Sequence, residues 1–289
     1  MNNWFQTEEA LRIFRDSGEW LTERVHAGSV SCIVTIMGPF FCRRAIIQGG
    51  LAWEDKNYKD SDLQEALRQL KAISERYHCV YTEIRNFGDY DFCRPVFEKE
   101  GFCYQPHYDI HLPVDEEQRM FDRLHESKQR ALRRLREEGH TWREAETVED
   151  VKDFYRDLRK LYRTKVKRPL PSLRFFLTAW QCKVPILVTI YQGRITGGVL
   201  LPRLNEVAYE WYICGNTLGT WAMMAWSAQH GVKTLDLVGG GEPGVPYGVR
   251  DFKLQMGGEL KEYGRFIHIR RPRLYELGSK IIRWMSKKL

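Results

Sequence analysis

The chain has 289 residues, of which 43% are hydrophobic, 29% charged and 13% aromatic, so it can build one large core or two ordinary ones, and wholesale disorder is excluded. Its 45 Lys+Arg against 38 Asp+Glu give a net charge of +7. The excess is local: residues 1–118 hold 13 basic and 20 acidic side chains, 119–174 hold 17 and 10, 175–269 hold 8 and 7, and 270–289 hold 7 and 1. An anionic partner would therefore be gripped by a central segment and a tail, not by the whole surface.

The N-terminus, Met1 to Glu9, has neither a basic flank nor an apolar run, so no signal peptide is expected. The longest uncharged stretch, 27–42, contains Gly38-Pro39 and is shorter than the roughly 20 residues a spanning helix needs. Seven cysteines (32, 42, 79, 93, 103, 182 and 214) form no C-x-x-C pair, which fits reduced thiols and a cytoplasmic location.

In chain order, residues 30–37 and 41–48 read as strands separated by Gly38-Pro39. Ser61 reads as the start of a helix to about Tyr77, with Gln64 closing a capping box and Leu63, Leu67 and Leu70 on one face. A strand at 79–85, a short helix at 90–99, Gly101 and a strand at 102–112 follow. Next come two long basic helices. The first carries Met120, Leu124, Ala131 and Leu135 on one face, with Arg123, Lys128, Arg130, Arg133, Arg134 and Arg136 elsewhere. The runs Lys128-Gln129-Arg130 and Arg133-Arg134-Leu135-Arg136 read as lacking matching acids at i+4, which would leave their charge unspent within the helix. The second helix has Val151, Phe154, Leu158 and Leu161 as its stripe and Thr147 as N-cap. Strands at 184–192, 195–203 and 206–214 precede a helix at 218–230 and a strand at 233–238. A glycine-rich loop at 239–248, a short helix at 249–256, Gly257-Gly258 and a strand at 259–269 complete the series. The order strand pair, helix, strand, short helix, Gly, strand thus occurs twice, which predicts an α/β protein with a mixed sheet in each half.

Few motifs carry chemistry. Gly239-Gly240-Gly241-Glu242-Pro243-Gly244 formally matches a dinucleotide fingerprint, but Pro243 and Pro246 interrupt the helix that should follow and Glu242 would repel phosphate. A flexible, substrate-lining loop is the better reading. No nucleophile elbow is present, and His107 and His111 lie four apart on a strand, not on one helical face, so metal ligation is not expected. Alternation along 208–216 puts Tyr209, Trp211 and Ile213 on one face and Glu210 and Tyr212 on the other, a pattern that suits core packing or a cleft wall. Lys253 follows Phe252 on the short helix after the glycine-rich loop. It is either a solvated surface lysine or a fixed cation at the mouth of the sheet, able to stabilise an oxyanion in acyl transfer.

Phe252-Lys253 followed by Gly257-Gly258 and a strand resembles the C-terminal signature of the Fem family, the aminoacyltransferases that build peptidoglycan interpeptide bridges within the acyl-CoA N-acyltransferase (GNAT-like) superfamily. Phe97-Glu98-Lys99-Glu100-Gly101-Phe102, Tyr108 to Leu112, and Ser127 to Leu135 with Gly139 resemble that family's middle stretch, so the likeness spans roughly 80–270. The resemblance implies two tandem GNAT-like domains, each a mixed, mostly antiparallel sheet flanked by helices. Their expected extents are 1–145 and 146–289, the second ending in a basic amphipathic tail helix at about 271–289. It implies transfer of an acyl or aminoacyl group to an amine of a peptidoglycan or surface-polymer precursor, by direct attack without a covalent enzyme intermediate. Lys253 would be the catalytic residue, and Lys253→Ala is expected to abolish transfer while leaving the fold intact. Phe252, Tyr209, Trp211, Tyr212, Asn216, Arg85, Lys128, Arg130, Arg133 and Arg134 would bind substrate. No bound cofactor or metal is expected. The donor is aminoacyl-tRNA or acyl-CoA, and the partners are a muropeptide precursor, tRNA and the inner membrane surface, not DNA.

Two features depart from the family: residues 184–270 leave no room for its helical-hairpin arm, and Gly215 to Thr220 only loosely matches an acetyl-CoA loop. The readings that compete with peptidoglycan acyl transfer are a non-catalytic RNA- or polyanion-binding protein on a degenerate GNAT fold and an acyl-CoA-dependent N-acetyltransferase. In the tail, Leu274, Leu277, Ile281, Met285 and Leu289 align at helical spacing beside Lys280, Arg283, Lys287 and Lys288, as in a helix lying on an anionic membrane.

Overall fold

A computed structural model describes residues 3–53 and 59–287, the side chains of 281–287 aside. The chain begins with a 3₁₀ turn, Trp4–Gln6, then α1 (Glu8–Asp16), β1 (Leu21–Ala27), β2 (Val30–Met37), a 3₁₀ turn at Phe40–Cys42, β3 (Arg44–Gly49), β4 (Ala52–Trp53), α2 (Asp60–Arg76), β5 (Tyr81–Asn86), α3 (Arg94–Lys99) and β6 (Cys103–Gln105). It continues through β7 (Tyr108–Pro113), α4 (Glu117–Arg123), α5 (Glu126–Glu137), β8 (Thr141–Glu144), α6 (Val148–Leu161), a π-turn at Tyr162–Val166, α7 (Leu173–Gln181), β9 (Ile186–Tyr191), β10 (Arg194–Leu200), β11 (Arg203–Leu204), β12 (Val207–Tyr209) and β13 (Tyr212–Cys214). The last elements are α8 (Thr217–Gln229), β14 (Thr234–Asp236), α9 (Gly248–Gln255), β15 (Glu259–Glu262), β16 (Arg265–Ile269) and α10 (Pro272–Lys287).

The chain forms two compact units, residues 1–106 with 263–289 and residues 107–262. This division differs from the one expected at residue 145. The reason lies in two segments that read as single strands, 102–112 and 259–269. Each is two strands, β6 with β7 and β15 with β16, and the second of each goes to the other unit's sheet. β16 inserts between β5 and β6, antiparallel to both, while β7 inserts between β14 and β15, antiparallel to both. The basic helices α4 and α5 accordingly belong to the second unit, and α10 to the first.

In unit 1 the strand order is β1-β2-β3-β5-β16-β6, with β3 and β5 parallel over six residue pairs from Arg44↔Tyr81 to Gly49↔Asn86. Its core joins Val25, Val34 and Ile47 of the strands to Leu63, Leu67 and Leu70 of α2, with Phe97 stacked on Phe266 at 3.9 Å. The stripe read from the sequence is therefore the buried face of α2. Its start is different: the helix opens at Asp60 after Lys59, which makes no side-chain cap, and Ser61 sits inside the first turn.

In unit 2 two sheets, β13-β10-β9-β8 and β11-β12-β14-β7-β15, pack against α8, whose Leu218, Trp221, Ala222, Met223 and Met224 are all buried. The single basic helix expected around 120–137 is two, because the chain turns extended at Leu124 and His125 caps α5. Thr147 does N-cap α6, in a full capping box with Asp150, and Asp150 also grips Arg143 through two bonds of 2.7 and 3.0 Å. That guanidinium and the amides of Glu146 and Thr147 outweigh the opposing effect of burial and hold the Asp150 carboxyl down at about 2.

Candidate functional site

The strand region 207–214 changes sheet in mid-course. Val207, Ala208 and Tyr209 run parallel to Thr234, Leu235 and Asp236, and the Glu210 N–H still donates to the Asp236 carbonyl at 2.8 Å. One residue later the Trp211 N–H donates instead to Leu200 of β10, at 3.2 Å, and Tyr212–Cys214 continue along Leu200–Gly198. The alternation expected for Tyr209, Trp211 and Ile213 is broken at this crossing. Tyr209 is buried, whereas Trp211 and Tyr212 are half-buried, lie 5.3 Å apart and both touch Phe175. Glycines in β10 permit the close approach of β13 and β9. A Cβ at Gly197 would stand 2.5 Å from the Cys214 carbonyl, and one at Gly198 would stand 2.4 Å from that of Leu187.

β12 and β14 therefore part like the limbs of a wedge, and a polar cluster occupies the fork. Just past β14, the Leu237 N–H bonds to Ile110, and Val238 takes a left-handed φ of 43°. A β-branched residue there carries strain of order 1–3 kcal/mol. The turn is held by two buried carboxylates: Asp236 accepts from Val238 N–H at 2.8 Å, and Asp109 accepts from Gly239 N–H at 2.9 Å. The carbonyls of Leu237 and Val238 are thereby left to Lys253. Its ammonium donates to both, the second at 2.6 Å, and pairs with the Glu210 carboxylate at 2.9 Å. Lys253 and Glu210 are each 7% exposed in their side chains.

Lys253 is thus a buried cation and not a solvated surface lysine. It has three N–H donors, and all three have acceptors. It is also structural, which changes the expectation for Lys253→Ala: removing one partner of a buried pair strands the other charge, so the fold itself should weaken. Burial raises the Glu210 pKa, Lys253 opposes that shift, and nearby Asp236 adds to it. His111 on β7 stands 3.6 Å from Asp236; burial would lower its pKa, but the bond and charge of Asp236 raise it. Asp236 and Asp109 are not picked out by the sequence, where Glu210 enters only as one face of a strand and His111 only as a rejected metal ligand. The available signal was a carboxylate inside each of three otherwise apolar strand segments.

The Phe252-Lys253…Gly257-Gly258 motif has a local explanation. Gly257 ends α9 with φ 90°, and a Cβ at Gly258 would lie 2.5 Å from Ile110. These glycines let α9 pack tightly enough on β7 for Lys253 to reach the fork. Phe252 packs on the unit 2 core, with the Lys128 ammonium 4.4 Å above its ring centre. Asn216 caps α8 by accepting from Leu218 N–H at 2.9 Å.

The other basic residues are not gathered here. Arg130 pairs with Glu126 at 3.4 Å and Arg134 with Glu138 at 3.6 Å, while Arg133 lies over Phe121, so the charge of α5 is largely engaged, contrary to expectation. The acids are there, one turn before Arg130 and one turn after Arg134. Arg85 belongs to unit 1, where it binds Glu83 at 3.0 Å and Gln48 at 3.1 Å. Uncompensated cations lie instead at the end of α6. Arg159, Lys160, Arg163, Lys165, Lys167 and Arg168 are exposed and make no ion pair among the described residues. Lys160 and Lys165, with Arg194 and Cys214-Gly215 of the β10–β13 edge, line a cleft of about 790 Å³, whose opposite charge is Asp153 and Asp157, both paired with Arg156. Burial pushes the Cys214 thiol up to about 12, which favours its protonated form. The glycine-rich loop, expected to be flexible, is tied at three carbonyls, those of Gly240, Glu242 and Val245, by Arg250.

No family model matches the sequence, and no curated protein does. Among solved structures the chain is similar to FemX, with a TM-score of 0.68 and 14% identity over 94% of each chain. It is also similar to L-PGS from Bacillus licheniformis, with a TM-score of 0.60 and 11% identity over 90% of this chain and 87% of that one. A third match is a C-terminal domain from Agrobacterium fabrum whose name refers to lysylphosphatidylglycerol synthetase, with a TM-score of 0.61 and 11% identity over 96% and 92%.

Proposed function

We propose that the protein is an acyltransferase that moves an acyl or aminoacyl group to the amine of a cell-envelope precursor. The support is the fork in unit 2 together with the fold, the tandem GNAT-like arrangement that the Fem resemblance implied and one shared with FemX along nearly the whole chain. The carrying observation is the buried Lys253 at the point where β12 and β14 part. There its ammonium donates to the Leu237 and Val238 carbonyls, just past the end of the strand pairing. Transfer proceeds by attack of the amine on the donor carbonyl, which places negative charge on that carbonyl oxygen as the tetrahedral intermediate forms. Lys253 serves the intermediate by turning one N–H from the strained Val238 carbonyl to the developing oxyanion, while Glu210 and Leu237 keep the ammonium in place. The amine's proton leaves with the departing alcohol or thiol, and no enzyme ester forms.

The donor carries phosphates whether it is aminoacyl-tRNA or acyl-CoA, and the unpaired cations of 159–168 with Arg194 suit either. The resemblance to the Fem family and the name of the lysylphosphatidylglycerol synthetase domain favour an aminoacyl donor and an envelope acceptor, with a peptidoglycan precursor as the first acceptor to try. The test is amide formation, read by mass spectrometry, when purified protein is given a lipid-linked muropeptide with either mixed aminoacyl-tRNA or acyl-CoA. A new amide with one donor is expected; none with either would overturn the reading. The same cationic run also supports the polyanion-binding alternative, which predicts salt-sensitive tRNA binding without any amide product.

A further inference from the structure

The edge of the unit 1 sheet where β3 and β5 begin gathers apolar and cationic groups from three distant segments. The turn Phe40–Cys42 leads into β3 and leaves Phe40 and Phe41 65% and 73% exposed. Phe40 lies against His78 at 5.8 Å and under Arg43 at 5.1 Å, and the Arg43 carbonyl accepts from Val80 N–H at 2.6 Å. β16, antiparallel to β5, ends at this same edge. The backbone N–H groups of Arg270 and Arg271 both reach the Val80 carbonyl at 3.0 Å, and the Arg270 side chain reaches that of Cys79 at 2.7 Å. There α10 starts, Tyr275 packing on Tyr81 at 5.3 Å and Leu274 and Leu277 staying exposed.

Two phenylalanines, two leucines and Arg43, Arg270, Arg271 and Arg273 therefore share one edge. Among the described residues, none of these four arginines is paired with a carboxylate. The acids of the same segments are Glu75 and Glu276. Protein interfaces exclude charge from their apolar centres and favour a concave or flat fit. Protruding aromatic tips ringed by cations of one sign match the boundary between lipid headgroups and acyl chains, where burial of apolar area and attraction to anionic lipid add together.

We propose that this edge of unit 1 docks on an anionic lipid bilayer. Phe40 and Phe41 enter the headgroup boundary, the first turns of α10 lie along it, and the arginines face lipid phosphates. This extends the membrane role expected of the tail to a turn more than 200 residues away in sequence, and its readout requires no turnover, so it stands or falls apart from the acyl-transfer reading.

The experiment is flotation of the full chain with phosphatidylglycerol–phosphatidylcholine vesicles and with pure phosphatidylcholine vesicles, folding being checked by circular dichroism. The wild type should float with the anionic vesicles and be released by salt. Phe40→Ser/Phe41→Ser should lower partitioning about tenfold or more, whereas Phe40→Leu/Phe41→Leu should stay within about threefold. Arg271→Gln/Arg273→Gln should lower it roughly 25-fold, at about fivefold per charge. Failure of the wild type to float, or a Ser pair that floats like the wild type, would overturn the proposal. So would dimerisation through this edge, abolished by the Ser pair, in a protein that ignores lipid.

Discussion

Both units contain a parallel strand pair followed by a helix, and they treat it in opposite ways. In unit 1, β3 and β5 stay paired for six residues, and the far end is closed: Asn3 donates to the Gly49 carbonyl at 2.8 Å, Gln6 to that of Gln48 at 2.7 Å, and Tyr90 to that of Leu51 at 3.0 Å. In unit 2, β12 and β14 part after three, and the fork holds charge. The buried carboxylates follow the same contrast. Glu83 in unit 1 has two guanidiniums, Arg265 at 2.7 Å and Arg85 at 3.0 Å, and they overcome its burial to bring the pKa down to about 2. Glu210 has one ammonium and a neighbouring carboxylate, and its pKa is raised. One unit has sealed its pair with compensated charge; the other keeps an open, undercompensated pair, which is the arrangement expected of a reacting centre.

Substitutions at the two centres should separate them. The largest effect is expected at Lys253→Met, which strands Glu210 beside Asp236 and should cost about 3–5 kcal/mol in urea unfolding, most of it recovered in Lys253→Met/Glu210→Gln. Glu83→Gln should cost about 2–3 kcal/mol at pH 7. Because the folded-state pKa of Glu83 is depressed, its contribution is present above the ordinary carboxylate pKa near 4.3 and is lost as pH falls toward 2, so the gap between wild type and variant should shrink on acidification. Glu210 has the opposite sign: a raised pKa lowers stability as pH rises through it, and Glu210→Gln should remove that falling limb. Equal pH profiles for the two variants would break the comparison. Asp150→Asn, at a compensated carboxylate within unit 2, should behave like Glu83 and cost about 2 kcal/mol, again less at low pH. Thr147→Ala should cost about 1 kcal/mol, with no pH dependence of its own.

Elements whose signal is local were legible in the sequence. The span of β2, the Leu63-Leu67-Leu70 stripe, the Thr147 cap and the limits of α8 and α9 all follow from spacing and capping chemistry. β1 was not seen, because an edge strand with the exposure of Leu21–Ala27 shows little apolar alternation. Nor was α7, whose crowded aromatics mask its period. The exchange of β7 and β16 was illegible for another reason: a strand's sequence says which face is apolar, but not which sheet it joins. At the site, the family motif drew attention to Lys253, which the structure places buried at the fork of β12 and β14. Its partners, however, come from Glu210, Leu237 and Val238, residues brought to it by tertiary structure alone.

The central claim is that the open pair of unit 2 is the reacting centre and Lys253 its cation. The most direct measurement is single-turnover amide formation by Lys253→Met/Glu210→Gln, whose neutral pair should preserve the fold and so separate chemistry from stability. With the donor the wild type uses, and with unfolding curves matched, the transfer rate should fall a hundredfold or more, as for loss of one oxyanion donor. A folded double variant that transfers within about threefold of the wild type would contradict the account.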